Sequence, residues 1–457
     1  MTDQPMTFLI LGASGDLTSR LLLPGLGTLL AVEPDRQLRV VGADLAELDA
    51  QQWQERVREA LAGEEVPQQT LDRIVEGTAY VQADLLDEGG LGQVMAEAGD
   101  GPLVIYFALP PQITVRVCRL LEQVSLPEPT RLALEKPFGN DTESAVELNR
   151  QLTRLVPEEQ IHRIDHFLGL NTVLNMVGIR FANRLLAPVW SAEHIERVDI
   201  TYDETLGLEG RAGYYDTAGA LVDMIQSHLL QVLSLFAMEA PAMMTPEEVR
   251  SLKAQVLRST RLWQDSPVVA SRRGRYTAGE VEGRPLPDYV AEEGVDPANE
   301  TETFAEVVVE VRNGRWKGVP FVLRSGKALE RVAKQVEVTF RPPPHVPTGM
   351  TGHGLRDRLL MELKPGAMTI QLAVNAQGDP LDLEPKELRA ELGKSRMQPY
   401  GEVIAGILDG NPLLAIRGDV AEECWRIVSP VMEAWRSGEV PLEEYPAGST
   451  GPEPWQP

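Results

Sequence analysis

An apolar run that ends in glycine, TFLILG (residues 7–12), passes at once into GASGDL (12–17), and this junction narrows the possible folds most. A short, wholly apolar run of this kind makes a strand buried on both faces, and the glycine lets the chain turn sharply into a helix. The arrangement repeats in LRVVGAD (38–44), PLVIYFALPP (102–111) and RLALEKPFG (131–139), with helical stretches between. Buried strands joined by crossover helices form a parallel sheet. An α/β Rossmann-type domain is therefore expected over residues 1–165.

Further on the texture changes. HIERVDITYDE, TFAEVVVEV, VPFVLRSGK, QVEVTFR and MTIQLAV, within residues 194–374, are alternating or β-branched, with few helices among them. This predicts an α+β domain over 166–457 with a large, mainly antiparallel sheet. Two domains also suit a chain of 457 residues.

Composition then excludes several classes of function. A net charge of −25 argues against a nucleic-acid or anionic-membrane partner. Two distant cysteines, Cys118 and Cys424, speak against a disulfide framework and suit a reducing cytoplasm. The start, MTDQPM, has neither the basic nor the apolar segment of an export signal, and no apolar run is read as crossing a bilayer. The six histidines form no metal-ligand motif, so no metal is predicted. Only eight lysines accompany 35 arginines, which gives a lysine inside a motif more weight.

GASGDL lies where a dinucleotide-binding turn belongs, with amides at the helix start able to face a pyrophosphate. Gly12, Ser14, Gly15, Asp16 and Leu17 are its candidate contacts. The spacing is G-x-x-G and not the full G-x-G-x-x-G, and the alternative is an ordinary turn with Asp16 near a helix N-terminus, but the place at the first strand of an α/β domain favours a nucleotide site. The second strand ends in GADLAELD (42–49), with Asp44 and no base. An acid there accepts from ribose hydroxyls and repels a 2′-phosphate, which favours NAD over NADP. The alternative is that Arg20 reaches in for that phosphate.

Lys136, at a strand end in EKPFG, is placed to touch cofactor or sugar, or to be a solvated loop lysine. LVDMIQSHLLQ (221–231) carries Asp223 and His228 in a helical stretch. On an α-helix five residues span about 140°, so the two are not expected to pair. A histidine base needs an orienting carboxylate, and RIDHFLGL (163–170) offers Asp165 beside His166. GLEGRAGYYD (207–216) presents Glu209, and RSGKALER (324–331) presents Lys327 and Arg331.

GASGDL, ALPP, EKPFG, RIDHFLG, RFANR, EGRAGYYD, DMIQSHLLQ, VPFVLRSGKAL, CWRI and GSTGP together resemble the glucose-6-phosphate 1-dehydrogenase family, in the family's order and over nearly the whole chain. The resemblance implies oxidation at C1 of a β-D-hexopyranose to its 1,5-lactone, with hydride passing to NAD or NADP. It implies His228 as proton acceptor oriented by Asp165, with Asp223 and Glu209 as sugar-binding carboxylates. Lys136 would touch both cofactor and substrate, and Pro137 would help position them. Lys327 and Arg331 would bind substrate, Arg331 standing one residue closer to Lys327 than in some members. A homodimer or homotetramer is implied as well.

One departure stands out. The family's D-H-Y-L-G-K, whose histidine, tyrosine and lysine hold the 6-phosphate, is here Asp165-His166-Phe167-Leu168-Gly169-Leu170. A lost charge-assisted contact is worth ~1.5–3 kcal/mol. The substrate expected is glucose 6-phosphate by resemblance, or a non-phosphorylated hexose such as glucose by these residues. A catalytically silent regulatory homologue and an oxidoreductase acting at another ring carbon are the competing classes.

Overall fold

The computed structural model describes residues 5–455 apart from 353, 365, 394 and 454. The chain divides into two compact units. One comprises Met1–Asn171, Pro241–Ser251 and Ser395–Glu422; the other comprises Thr172–Ala240, Leu252–Lys394 and Glu423–Pro457.

In the first unit the apolar runs form β1 (Met6–Leu11), β2 (Leu38–Asp44), β3 (Ala79–Gln82), β4 (Leu103–Phe107), β5 (Thr130–Glu135) and β6 (Ile161–Ile164). Their spatial order is β6-β5-β4-β1-β2-β3, every neighbour parallel, and Ala415–Ile416 pairs antiparallel with β6 at the edge. The winding reverses between β1 and β4, and the crevice at the carboxyl ends there is where such sheets bind ligands. Phe8, Ile10, Val40, Val104 and Tyr106 form one core with Trp53, Ile404 and Ile407. The last two belong to the helix Pro399–Asp409, which covers the sheet from far along the chain.

The second unit is built on a ten-stranded mixed sheet. Ile195–Asp203 runs through its middle, antiparallel to Ala333–Phe340 on one side and parallel to Pro320–Gly326 on the other. Leu442–Pro446 is also parallel to its neighbour, Ser271–Thr277, and the remaining pairs are antiparallel. The expected α/β and α+β classes are both found.

Against this sheet lies a helical stretch, Ala212–Ala237, that is long and apolar enough to cross a membrane. This corrects the sequence reading that no segment reaches that length. Most of the stretch is buried inside the protein, which makes it a core helix. A second correction concerns its geometry. Leu221–Leu229 is π-helical and not α-helical. The turn of a π-helix is wider than that of an α-helix, so Asp223 and His228 stand closer to one face than the α-helical spacing of about 140° implied.

Candidate active site

The glycine turn closes β1 onto its helix through a small set of bonds. Gly12 N–H and Ala13 N–H both donate to Ala43 O (2.9 and 3.2 Å), and Gly15 N–H donates to Gly12 O (3.1 Å). Gly12 has φ +87°, and a β-carbon there would stand 2.3 Å from Ala108 O. Only glycine lets the end of β1 pass this close to the end of β4. Asp44 closes the other side: its Oδ2 accepts from Ser14 N–H (3.0 Å) and Ser14 Oγ–H (2.6 Å), and its Oδ1 accepts from Leu45 N–H (2.7 Å). Gly12, Ser14, Gly15 and Asp44 thus belong to one bonded turn at the carboxyl ends of β1 and β2.

Two cations stand beside the turn. Arg20 pairs with Asp16 at 3.2 Å, both side chains about three-quarters exposed. Arg56, from the helix Ala50–Ala62, donates to Ser14 O at 3.0 Å. No spacing rule ties residue 56 to the glycine turn, so sequence reasoning missed it.

EKPFG follows the end of β5. Pro137 and Gly139 line a cavity of about 80 Å³ with Gln112, Thr114 and Asn140. The neighbouring Glu135 is half-buried, and its carboxylate accepts from the Tyr106 and Tyr400 hydroxyls, the latter at 3.1 Å. Burial pushes its carboxyl up to about 7, against the lowering effect of the two phenols and of Lys136.

Asp165 is 1% exposed and accepts from Phe167 N–H at 2.9 Å, which starts the 3₁₀ turn His166–Gly169. Phe167 is buried within the unit. His166 stacks on Tyr400, with ring centres 5.7 Å apart and planes at 15°. Tyr400, from helix Pro399–Asp409, thus lays its ring on His166 while its hydroxyl donates to Glu135. Tyr400 lies 234 positions beyond His166 and had no sequence signal.

In the second unit His228 is 2% exposed. Asp223 is half-buried, and its Oδ1 accepts from the Tyr214 hydroxyl at 3.4 Å. Glu209 is exposed, has φ +50°, and pairs with Arg284 at 3.5 Å. Lys327 meets Glu204 at 3.0 Å above the Tyr215 ring; Lys334 meets the same carboxylate at 3.2 Å above the Tyr202 ring. Burial would raise the Glu204 carboxyl, but the two ammonium groups outweigh it and hold it below its ordinary value. Arg331 is exposed and lines a cavity of about 500 Å³ with Asp199, Asp203 and Arg324. Lys334, on the strand Ala333–Phe340, is the base that joins Lys327; it falls just outside RSGKALER, and sequence reasoning did not single it out. Arg180 and Arg184 also stand in this unit. Arg180 is buried and donates to Phe236 O at 3.0 Å, and Arg184 is exposed.

Two family profiles match consecutive parts of the chain: "Glucose-6-phosphate dehydrogenase, NAD binding domain" over residues 9–175 and "Glucose-6-phosphate dehydrogenase, C-terminal domain" over 177–456. The chain belongs to the glucose-6-phosphate dehydrogenase family. A glucose-6-phosphate 1-dehydrogenase of Gluconobacter oxydans is 39% identical, covering 98% of this chain and 95% of the relative. One of Rhizobium meliloti is 34% identical at the same coverage. Among solved structures, a glucose-6-phosphate dehydrogenase in complex with its substrate glucose-6-phosphate superposes with a TM-score of 0.86 at 29% identity, covering 99% and 96% of the two chains. The enzyme from Mycobacterium avium gives 0.85 at 29% identity, with both chains fully covered.

Proposed function

We propose that this protein oxidises C1 of β-D-glucose 6-phosphate to the 1,5-lactone, with hydride transfer to NAD or NADP. The observation that carries the reading is the match to a substrate-bound relative over nearly the whole of both chains. The side chains in place suit it. His228 would take the proton of the C1 hydroxyl, oriented by Asp165, as the carbinol carbon loses hydride. The cofactor supplies the hydride acceptor; Gly12, Ser14, Gly15, Asp16, Leu17, Asp44 and Lys136 would hold it. Asp223 and Glu209 would accept from sugar hydroxyls, and His166, Lys136 and Lys327 would donate to the substrate. Lys334 joins Lys327 at Glu204 and is preferred to Arg331 as its companion.

The cofactor reading is NAD. Asp44, bonded to Ser14, offers a carboxylate of the kind that accepts from ribose hydroxyls, which supports this reading. Arg56 beside the same turn favours the opposite choice, a 2′-phosphate. A free hexose is the second substrate reading, because Phe167 and Leu170 supply neither phenol nor ammonium. The family resemblance also carries a homodimer or homotetramer.

Steady-state reduction of NAD and NADP, each with glucose 6-phosphate and with glucose at matched concentration, tests all of this. The expected result is a higher kcat/KM with glucose 6-phosphate and with NAD. Faster turnover of glucose would show that the pocket has switched, and faster reduction of NADP would hand the ribose site to Arg56. A His228→Asn variant should lose roughly 10²–10⁴-fold in kcat, the usual worth of a general base, with cofactor affinity intact. Wild-type turnover in that variant would remove His228 from its role.

A further inference from the structure

We propose that Glu302 is a positioning residue for the catalytic helix: its carboxylate and carbonyl hold the first turn of the π-helix and so set where Asp223 and His228 stand. The inference rests on the function proposed above and concerns the second unit alone.

Glu302 Oε1 accepts from Leu221 N–H at 2.9 Å, and its main-chain carbonyl accepts from Ala220 N–H at 3.2 Å. These are amides at the start of a helix, where unpaired donors and the helix dipole favour an acid. The chain kinks there. Gly219 has φ 64° and ψ 177° between the helix from Ala212 and the π-helix Leu221–Leu229. A β-carbon on Gly219 would stand 2.2 Å from Glu302 Oε1, so the glycine opens the space that the carboxylate fills.

The residues on either side extend the same fastening. Thr301 Oγ–H donates to Asp216 O at 2.5 Å, and Asp216 also receives the Tyr289 hydroxyl (2.7 Å) and Asn299 Nδ2–H (2.7 Å). Thr303 O accepts from Lys327 N–H at 2.9 Å. The tripeptide 301–303 thus ties together the helix before the kink, the π-helix with Asp223 and His228, and the backbone of Lys327. Nothing in the proposed chemistry uses the Glu302 carboxyl directly. Burial raises it to about 7, against its backbone bonds and Arg273. A carboxyl held at that cost in the interior calls for a reason, and the Leu221 amide that it holds provides one.

The test compares Glu302→Ala, Glu302→Asp and Glu302→Gln, reading kcat, both KM values and amide exchange across residues 220–229. Glu302→Asp, one methylene short, and Glu302→Ala should lose about 10²-fold in kcat, as small misplacements of catalytic groups do. KM for the cofactor should stay at the wild-type value, and exchange should quicken over 220–229 only. Glu302→Gln keeps an oxygen at the same reach and should recover kcat to within a few fold of wild type. Wild-type kcat in Glu302→Asp overturns the inference, as does a Gln variant as impaired as the Asp one. A lower Tm in either with kcat unchanged overturns it too, because the residue would then be structural only. Should the wild-type protein oxidise no sugar, the function reading falls, and amide exchange alone decides whether Glu302 holds the helix.

Discussion

Glu135 shows how one residue's surroundings can override its chemistry. It precedes Lys136 in a motif where the lysine attracts notice, yet it is the glutamate that sits between two phenols, from β4 and from helix Pro399–Asp409. Its carboxyl titrates at about 7 in the folded protein against an ordinary 4.5, first because burial disfavours the charge. The folded state therefore holds a proton that the unfolded chain has released between those values. Stability from this group is present below about 4.5 and declines as pH rises to about 7, then levels off. Glu135→Gln should remove that decline, so the difference in unfolding free energy between wild type and variant should change across pH 4.5–7 and be flat above it. A difference that stays constant over the whole range would mean Glu135 is ionised in the fold. At this scale the sequence showed Asp165, His166 and Lys136 through their motifs. Tyr400 and Arg56 stayed hidden, because a side chain arriving from a distant helix leaves no local spacing.

Among the elements, the glycine turn and the π-helix behave in opposite ways. The turn was legible because its cause is local: a buried strand must end, and Gly12 takes a φ of +87° that L side chains rarely adopt. Gly12→Ala would put a β-carbon against Ala108 O and add about 1–2 kcal/mol of backbone strain. Its Tm should fall by several degrees and cofactor binding, followed by fluorescence titration, should be lost; unchanged affinity would separate the turn from the cofactor. The π-helix was not legible. Its residues, LVDMIQSHL, carry an ordinary helical pattern, and nothing in their spacing marks the wider turn of a stretch that is held at Ala220 and Leu221 and packed on the sheet.

For the molecule as a whole, charge is the property that sequence states completely. A net charge of −25 opposes any compact state, and salt screens it over a Debye length of about 10 Å at 0.1 M. Raising sodium chloride from about 0.02 M to about 0.2 M should therefore raise Tm by a few degrees. A Tm that falls would mean that exposed attractive pairs such as Arg58–Glu55 and Arg312–Asp265 outweigh the global repulsion.

The alternation of buried strands with helices, the glycine turn and the shift to β-branched strands are local regularities of pattern and backbone freedom. Sequence alone therefore determined the two fold classes and the catalytic candidates on their motifs. Which side chains answer each other was decided only in the tertiary structure. Tyr400 stacks on His166, Lys334 shares Glu204 with Lys327, and Glu302 reaches the start of a helix 81 positions earlier. Those meetings follow from strand order and helix packing, which bring together residues that no periodicity along the chain connects.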